Sequence, residues 1–364
     1  MKRLRVIAPY LLITIVWAIS VLSKLKFNGL VYGLDFGLYH PDGVHYTLRA
    51  LVWLGNSPLE AAEQISNWYA THSAKHVTID PVSILPENSP VWGLVKPRLL
   101  YPFLSVPFVA LFGISGMLVV PSLSLLIAMF AIYRMATLRL KPFIATLFAI
   151  SVSFSPTLIR WSVANLTDSI SMALFSFVPL ILHSRISIRT KYFGFFLLIM
   201  MTSLNRFCLP VWLAIGAYLL LRRNYRLTIF VFFSSILAAT QSIMQGSSVG
   251  LLPNENSDSQ FQKVLLLPVS FLKVAIVELA QLAVLDRFLL VILVAAALTS
   301  IRNYKSINSQ LFLLVAIAVW LLGAINGVIG VNFRYQLPLI PFAYWVMISS
   351  SLSLKINSAL KNKG

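Results

Sequence analysis

The sequence predicts an all-α polytopic membrane protein with about ten transmembrane helices. Three observations predict it. Of 364 residues, 58% are hydrophobic and only 11% are charged, well below the share in ordinary soluble domains. The mean hydropathy is +0.83. The apolar stretches are solid runs rather than alternating positions, so the spans are helices that satisfy their own backbone, not barrel strands. The whole chain, 1–364, reads as a single integral-membrane domain.

The formal charge of +18 would point to nucleic acid in a soluble protein. Here membrane topology explains it, because basic residues collect in short cytoplasmic loops. With no arginine-rich tail and no basic patch interleaved with aromatics, no nucleic-acid partner is expected. The single cysteine, Cys208, excludes an internal disulfide framework and a cysteine-based metal site.

Lys2, Arg3 and Arg5 precede an apolar run from Ile7 to Leu22, read as a retained signal anchor that leaves the amino terminus cytoplasmic. From Lys24 to Arg98 no segment is long and apolar enough to span. Pro41, Pro58, Pro81, Pro86, Pro90 and Pro97 interrupt this first extracytoplasmic loop, 24–98. Leu48 to Leu54 and Leu59 to Ala70 have helical spacing, which predicts short interfacial helices. Structureless loops of such length are uncommon and usually functional.

Leu99 to Phe112 is too short for a straight span of roughly 20 residues and reads as a surface-lying or re-entrant helix. The next spans are expected at Met117 to Arg134, Phe143 to Leu158, Leu166 to Leu182, Tyr192 to Leu204 and Phe207 to Leu221. Leu227 to Met244, Phe288 to Ile301, Leu311 to Ile325 and Leu337 to Leu352 complete the set, with both ends cytoplasmic. A second outer loop, 245–285, carries Val264 to Leu285, which Lys273 and Glu278 interrupt and which is expected to lie along the outer face. In this arrangement the basic loops face the cytoplasm and all eleven acids fall outside. Acids contribute little to orientation, so outward-facing chemistry is a candidate cause. No internal repeat supports an inverted-repeat transporter.

The chemistry-bearing residues cluster around His40-Pro41-Asp42-Gly43-Val44-His45-Tyr46, just after the first span. Asp42 suits a helix N-cap, and equally a general base that takes a proton from an attacking hydroxyl. Asp35 is a second acid that could share this work, bind a metal or hold the loop. Lys96 and Arg98 close the same loop on the outer side, where the positive-inside bias disfavours idle cations; a phosphate would give them work. Arg160, Arg206 and Arg334 recur at outer helix ends beside aromatics. Arginine near hydrocarbon is costly, so each needs an anionic partner: Asp168, Asp286 or a lipid-linked phosphate. His72 and His76 have the spacing of a helical metal pair, but no glutamate follows His72 as a zinc protease needs. No metal is therefore assigned. There is no Walker loop, GxGxxG or GxSxG, and Asn165-Leu166-Thr167 is a glycosylation sequon by pattern.

Taken together, these pieces resemble the integral-membrane glycosyltransferases of the GT-C fold, distantly the protein O-mannosyltransferase and aminoarabinose transferase type. His40-Pro41-Asp42 with Tyr46 and Ala50 looks like the family's first-loop acidic motif. Lys96-Pro97-Arg98-Leu99-Leu100-Tyr101-Pro102 through Phe112-Gly113 is similar to the element that ends that loop. Ser155-Pro156 with Asn165 to Ser169, Leu204-Asn205-Arg206 and Arg334-Tyr335-Gln336-Leu337-Pro338 resemble later family motifs, with Phe207 where proline is usual. Gly43 replaces the second acid of the family's Asp-Glu, which leaves a metal role for that pair without support.

The resemblance implies a polyprenyl-phosphate sugar donor, an extracytoplasmic acceptor (glycan, lipid or protein), no cofactor, and a bacterial plasma (inner) membrane location. It implies Asp42 as base, Asp35 as a second acid, and Lys96, Arg98, Arg206 and Arg334 as clamps for the donor phosphate. His40, His45, Tyr46, Tyr101 and Tyr335 would contact substrate. The alternatives are a transporter or flippase for a lipid-linked or anionic substrate, and a non-catalytic assembly or export factor.

Overall fold

The computed structural model describes residues 2–27, 41–72, 78–89, 91–244, 266–325 and 333–361. Every regular element among them is helical. Helix α1 (Lys2–Phe27) holds the first apolar stretch, Ile7–Leu25. It is tied to the body where Trp17 Nε1 donates to the Ser122 carbonyl at 2.8 Å.

The two interfacial helices expected in the first loop are α2 (Pro41–Trp53) and α3 (Pro58–His72), and both begin earlier than their apolar spacing suggests. Pro41 starts α2 because its missing N–H lies where a helix has no internal acceptor for one. Asp42 therefore sits inside the first turn and not at the N-cap expected for it. Gly55, at φ +101°, ends the helix in a left-handed conformation. Helix α3 opens on a capping box: the Glu60 carboxylate accepts from the Ser57 N–H at 2.8 Å, and Ser57 Oγ from the Glu60 N–H at 3.3 Å. Tyr46, Leu48 and Ala50 of α2, with Ala61, Ile65 and Tyr69 of α3, are buried in the core, so these helices are part of the body.

After α4 (Trp92–Val95), the stretch Leu100–Thr137 is apolar throughout. It is not straight. Helix α5 (Leu100–Phe112) stops at Gly113, at φ +61°, and a 3-10 turn over Gly113–Leu118 leads into α6 (Val119–Thr137). A Cβ on Gly116 would lie 2.2 Å from the Phe108 carbonyl oxygen, so this turn folds back onto the α5 backbone at a distance only glycine permits.

The single span expected over Phe143 to Leu158 is corrected. Helix α7 (Pro142–Ser151) runs through a 3-10 turn to Phe154, and α8 (Pro156–Ser162) leaves it at 75°. Pro156 forces Ser155 into extended backbone, at ψ 109°, and Ser155 Oγ then caps the Leu158 N–H. Helices α9 (Asp168–His183), α10 (Ile188–Asn205), α11 (Leu209–Leu221) and α12 (Tyr225–Met244) follow near their expected places.

Helix α13 (Leu267–Leu285) is an unbroken 19-residue helix, long and apolar enough to cross a membrane. The interruption expected from Glu278 does not occur, because its carboxylate is buried and accepts from the Phe333 N–H. Helices α14 (Arg287–Arg302), α15 (Ile307–Ile325) and α16 (Ile340–Lys361) complete the bundle. Asp286 joins α13 to α14: its carboxylate caps the Leu289 N–H at 2.9 Å, accepts from the Thr157 N–H at 3.0 Å and bonds Ser155 Oγ.

Four stretches are long and apolar enough to cross a membrane among the described residues: Ile7–Leu25, Leu100–Thr137, Leu267–Leu285 and Ile307–Ala324. The bent α7–α8 pair makes a fifth if counted as one. Asp168–His183, Leu209–Leu221, Tyr225–Gln241 and Leu337–Ser350 are apolar but shorter. The protein is thus an all-helical chain with the composition of a multi-pass membrane protein.

Candidate functional site

Charged residues from five separate parts of the chain meet at one end of the bundle. Asp168, the first residue of α9, is the hub. Its carboxylate, fully buried, pairs through Oδ1 with Arg206 Nη1 and through Oδ2 with Arg334 Nε at 2.9 Å. Arg334 Nη2 then donates to Asp42 Oδ2 at 2.9 Å. Asp42 is the accessible member, its side chain 29% exposed where the two arginines are at 5%.

Aromatic faces cover the guanidinium groups. Arg206 lies 3.9 Å above the Tyr335 ring, and Arg334 sits 5.8 Å from that ring and 5.9 Å from Trp161. Arg98 donates to the Tyr46 hydroxyl at 2.9 Å. Burial opposes its charge, but Tyr46, Tyr335 and Asp42 outweigh that effect and lift its pKa. Arg334 is driven the same way: burial disfavours the cation, while Asp168, Asp42 and Tyr335 raise its pKa. Among the described residues three guanidinium groups thus face two carboxylates, and Arg206 Nη2 is buried with no hydrogen-bond partner among them. Buried charge of this kind persists only when paired, so the surplus favours an anion.

Local structure aims each group. Arg206 leaves the end of α10 in extended backbone, at φ −166° and ψ 152°, with its N–H on the Thr202 carbonyl at 2.7 Å. Asn205 Nδ2 locks that end to the start of α9, donating to Thr167 O and Ser171 Oγ at 2.8 Å each. Phe333 adopts φ +63°, rare for an aromatic residue, and the bond from its N–H to Glu278 stabilises the turn that presents Arg334. Gly43 is dictated by its neighbour. A Cβ there would lie 2.0 Å from Asn165 Nδ2, so the chain has no room for the second acid that the acidic-motif comparison leads one to expect. Asn165 is itself fully buried, so its sequon pattern describes packing and not an exposed acceptor.

Of the residues singled out from sequence, Asp42, Arg98, Arg206, Arg334, Tyr46 and Tyr335 come together here. Asp35 and His40 lie outside the described residues. Lys96 is exposed; its backbone N–H donates to the Trp92 carbonyl at 2.8 Å and its carbonyl accepts from Arg49 Nη1 at 2.9 Å. Arg49 also lies 4.8 Å over the Trp92 ring. The Tyr101 hydroxyl donates to the Met117 carbonyl at 2.8 Å, which gives it a packing role. His45 Nε2 meets Ser89 Oγ at 3.1 Å, and burial is the main cause that pulls its pKa below the ordinary 6.5. His72 is stacked on Trp68 at 4.5 Å, and among the described residues no group of His, Cys, Asp and Glu is placed to hold a metal. Asp286, an alternative arginine partner by sequence, caps α14 instead.

Sequence reasoning left Asp168 as one partner among several and did not single out Trp161. The available signal for Asp168 was isolation: it is the only acid between Glu87 and Glu255. Comparison of the chain with protein-family models, curated proteins and solved structures finds no match.

Proposed function

We propose that the protein is an integral-membrane glycosyltransferase that moves a sugar from a polyprenyl-phosphate donor to an extracytoplasmic acceptor. The observation that carries this reading is the partly exposed Asp42 carboxylate held by Arg334 beside Arg206 and Arg98. Asp42 Oδ2 is paired with Arg334, and in this reading the Asp42 carboxylate, partly open to solvent, takes the proton of an acceptor hydroxyl. As the hydroxyl oxygen bonds the anomeric carbon, its proton passes to Asp42 and the carbon–oxygen bond to phosphate breaks. The bonding pair leaves with the lipid phosphate, and the guanidinium groups stabilise its charge.

This reading takes about ten spans, with both ends cytoplasmic and the Asp42 end facing outward in a bacterial plasma membrane; the four long apolar stretches, the bent α7–α8 pair and the four shorter apolar helices supply nine candidates among the described residues. A transporter needs its charged groups near the bilayer midplane. Asp42, Asp168, Arg206 and Arg334 all stand at or beside helix ends, which the enzyme reading places at the outer surface and a transporter would need near the midplane, so their measured depth in the bilayer separates the two.

The test is transfer from radiolabelled polyprenyl-phosphate sugars by membranes carrying the wild type or Asp42→Asn. The label should move only with wild type, a loss of at least about a hundredfold for removal of a general base. Equal transfer by Asp42→Asn at equal folded protein removes Asp42 as base.

A further inference from the structure

A groove of about 550 Å³ opens between α1, α3 and the start of α6, within the roughly 300–1,000 Å³ range of ligand clefts. Trp17, Val21 and Leu25 line it from successive turns on one face of α1, and Trp68, Leu118 and Leu123 close its other sides. No acid lines it. Its polar residues His72 and Ser115 are exposed, with the His72 ring stacked on Trp68 at 4.5 Å. Ser122, buried in the wall, spends its hydroxyl on the Leu118 carbonyl at 2.8 Å and the Ser162 carbonyl at 3.1 Å. An apolar floor below an uncharged polar rim suits a hydrocarbon chain that ends in a polar headgroup. All three α1 residues belong to the apolar stretch Ile7–Leu25, long enough to cross a membrane, so the floor lies at the depth where lipid chains are the available occupants.

Two independent lines of contact join this groove to the charged site. Leu118 follows Met117, whose carbonyl accepts from the Tyr101 hydroxyl at 2.8 Å. The Tyr101 ring meets Tyr46 edge-on at 5.3 Å, and Tyr46 stands one turn from Asp42 on α2. On the other line, the Ser162 that Ser122 binds follows Trp161, whose ring lies 5.9 Å from the Arg334 guanidinium that holds Asp42. Both lines end on Asp42 and its partner, whereas Arg206 enters the site from the end of α10. The groove thus lies one layer of side chains from the carboxylate that would face the acceptor.

We propose that the acceptor is a lipid, with its hydrocarbon chain seated in this groove and its headgroup at Asp42; this rests on the glycosyltransferase reading. The headgroup supplies the attacking hydroxyl, its proton goes to Asp42, and the donor's lipid phosphate leaves with the bonding pair. Seating the chain in a walled groove fixes the headgroup beside the base, which converts part of the encounter into a positioned reaction.

Membranes carrying the full chain are incubated with radiolabelled polyprenyl-phosphate sugars and separated into protein pellet, aqueous glycan and organic extract, the extract then resolved from the donor by thin-layer chromatography. Label is expected in a new organic-soluble species. Leu25→Trp and Leu123→Trp place an indole in the groove from half-buried positions and should each cut that transfer about tenfold. Leu298→Trp, on an exposed apolar face of α14, should leave it unchanged. Unfolding temperatures near that of wild type identify the folded variants. Added total lipid extract from the same membranes should relieve the loss, and added donor should not. Label in protein or aqueous glycan overturns the lipid acceptor while the glycosyltransferase reading stands; label that moves nowhere with wild type overturns both. Undiminished transfer by the folded groove variants, an equal loss with Leu298→Trp, or relief by donor alone overturns the assignment of the groove to the acceptor.

Discussion

Asp168→Asn removes the one carboxylate that two buried guanidinium groups share. Both arginine side chains are 5% exposed, so neither can recover its hydration when the charge goes. Breaking a buried pair from one side costs about 3–5 kcal/mol, because the remaining charge is left uncompensated. The amide oxygen still accepts from one arginine, which places the expected loss toward the lower end of that range. Asp42→Asn makes the internal control. Asp42 is 29% exposed and Arg334 keeps its bond to Asp168, so this loss should be about 1 kcal/mol or less. The measurement is equilibrium unfolding in detergent micelles, followed by the fluorescence of the eight tryptophans. If orphaned charge is the cause, adding Arg206→Gln to Asp168→Asn should cost less than the two separate losses combined. An Asp168→Asn protein within about 1 kcal/mol of wild type, or an Asp42→Asn protein as unstable as Asp168→Asn, would refute the assignment of Asp168 as the hub.

Two further predictions concern the first loop. Gly43→Ala drives a methyl into Asn165 and should cost about 1–3 kcal/mol by overpacking, with much of the loss recovered when Asn165→Gly is added; no recovery in a chemical-denaturation series would mean the clash is relieved elsewhere. For His45, burial lowers the folded pKa more than Asp42 raises it, and Arg49 adds to the lowering. The unfolded chain then takes up the proton first as pH falls, so the stabilisation from neutral His45 is complete above about 6.5 and is lost on acidification below it. Unfolding midpoints measured from about pH 8 down to about pH 5 should show a decline that His45→Gln flattens; parallel profiles for the two proteins would exclude His45 as its source.

Composition and solid apolar runs were enough to define an all-helical, multi-pass class, because backbone groups in lipid must be satisfied within each segment. Turn chemistry is local, yet the expected elements did not use it: Ser57 with Glu60 caps the start of α3, and Ser155-Pro156 breaks the stretch that was expected as one span over Phe143 to Leu158. Asp42, Arg206, Arg334 and Tyr335 could be singled out because polar groups at the ends of apolar segments are costly and stand out against their surroundings. Their mutual arrangement could not. Arg334 reaches Asp42 across 292 positions and Asp168 across 166, and no periodicity or cap records a pairing at that separation. The same holds for Gly43, whose missing side chain reads as a lost acid until Asn165 is seen in its place. The chain's own order decided which residues are helical and which are charged. Only the packing of helices, which brings ends distant in sequence within bonding distance, decided that Asp168 and not Asp286 neutralises the arginines, since ion pairing depends on position in space alone.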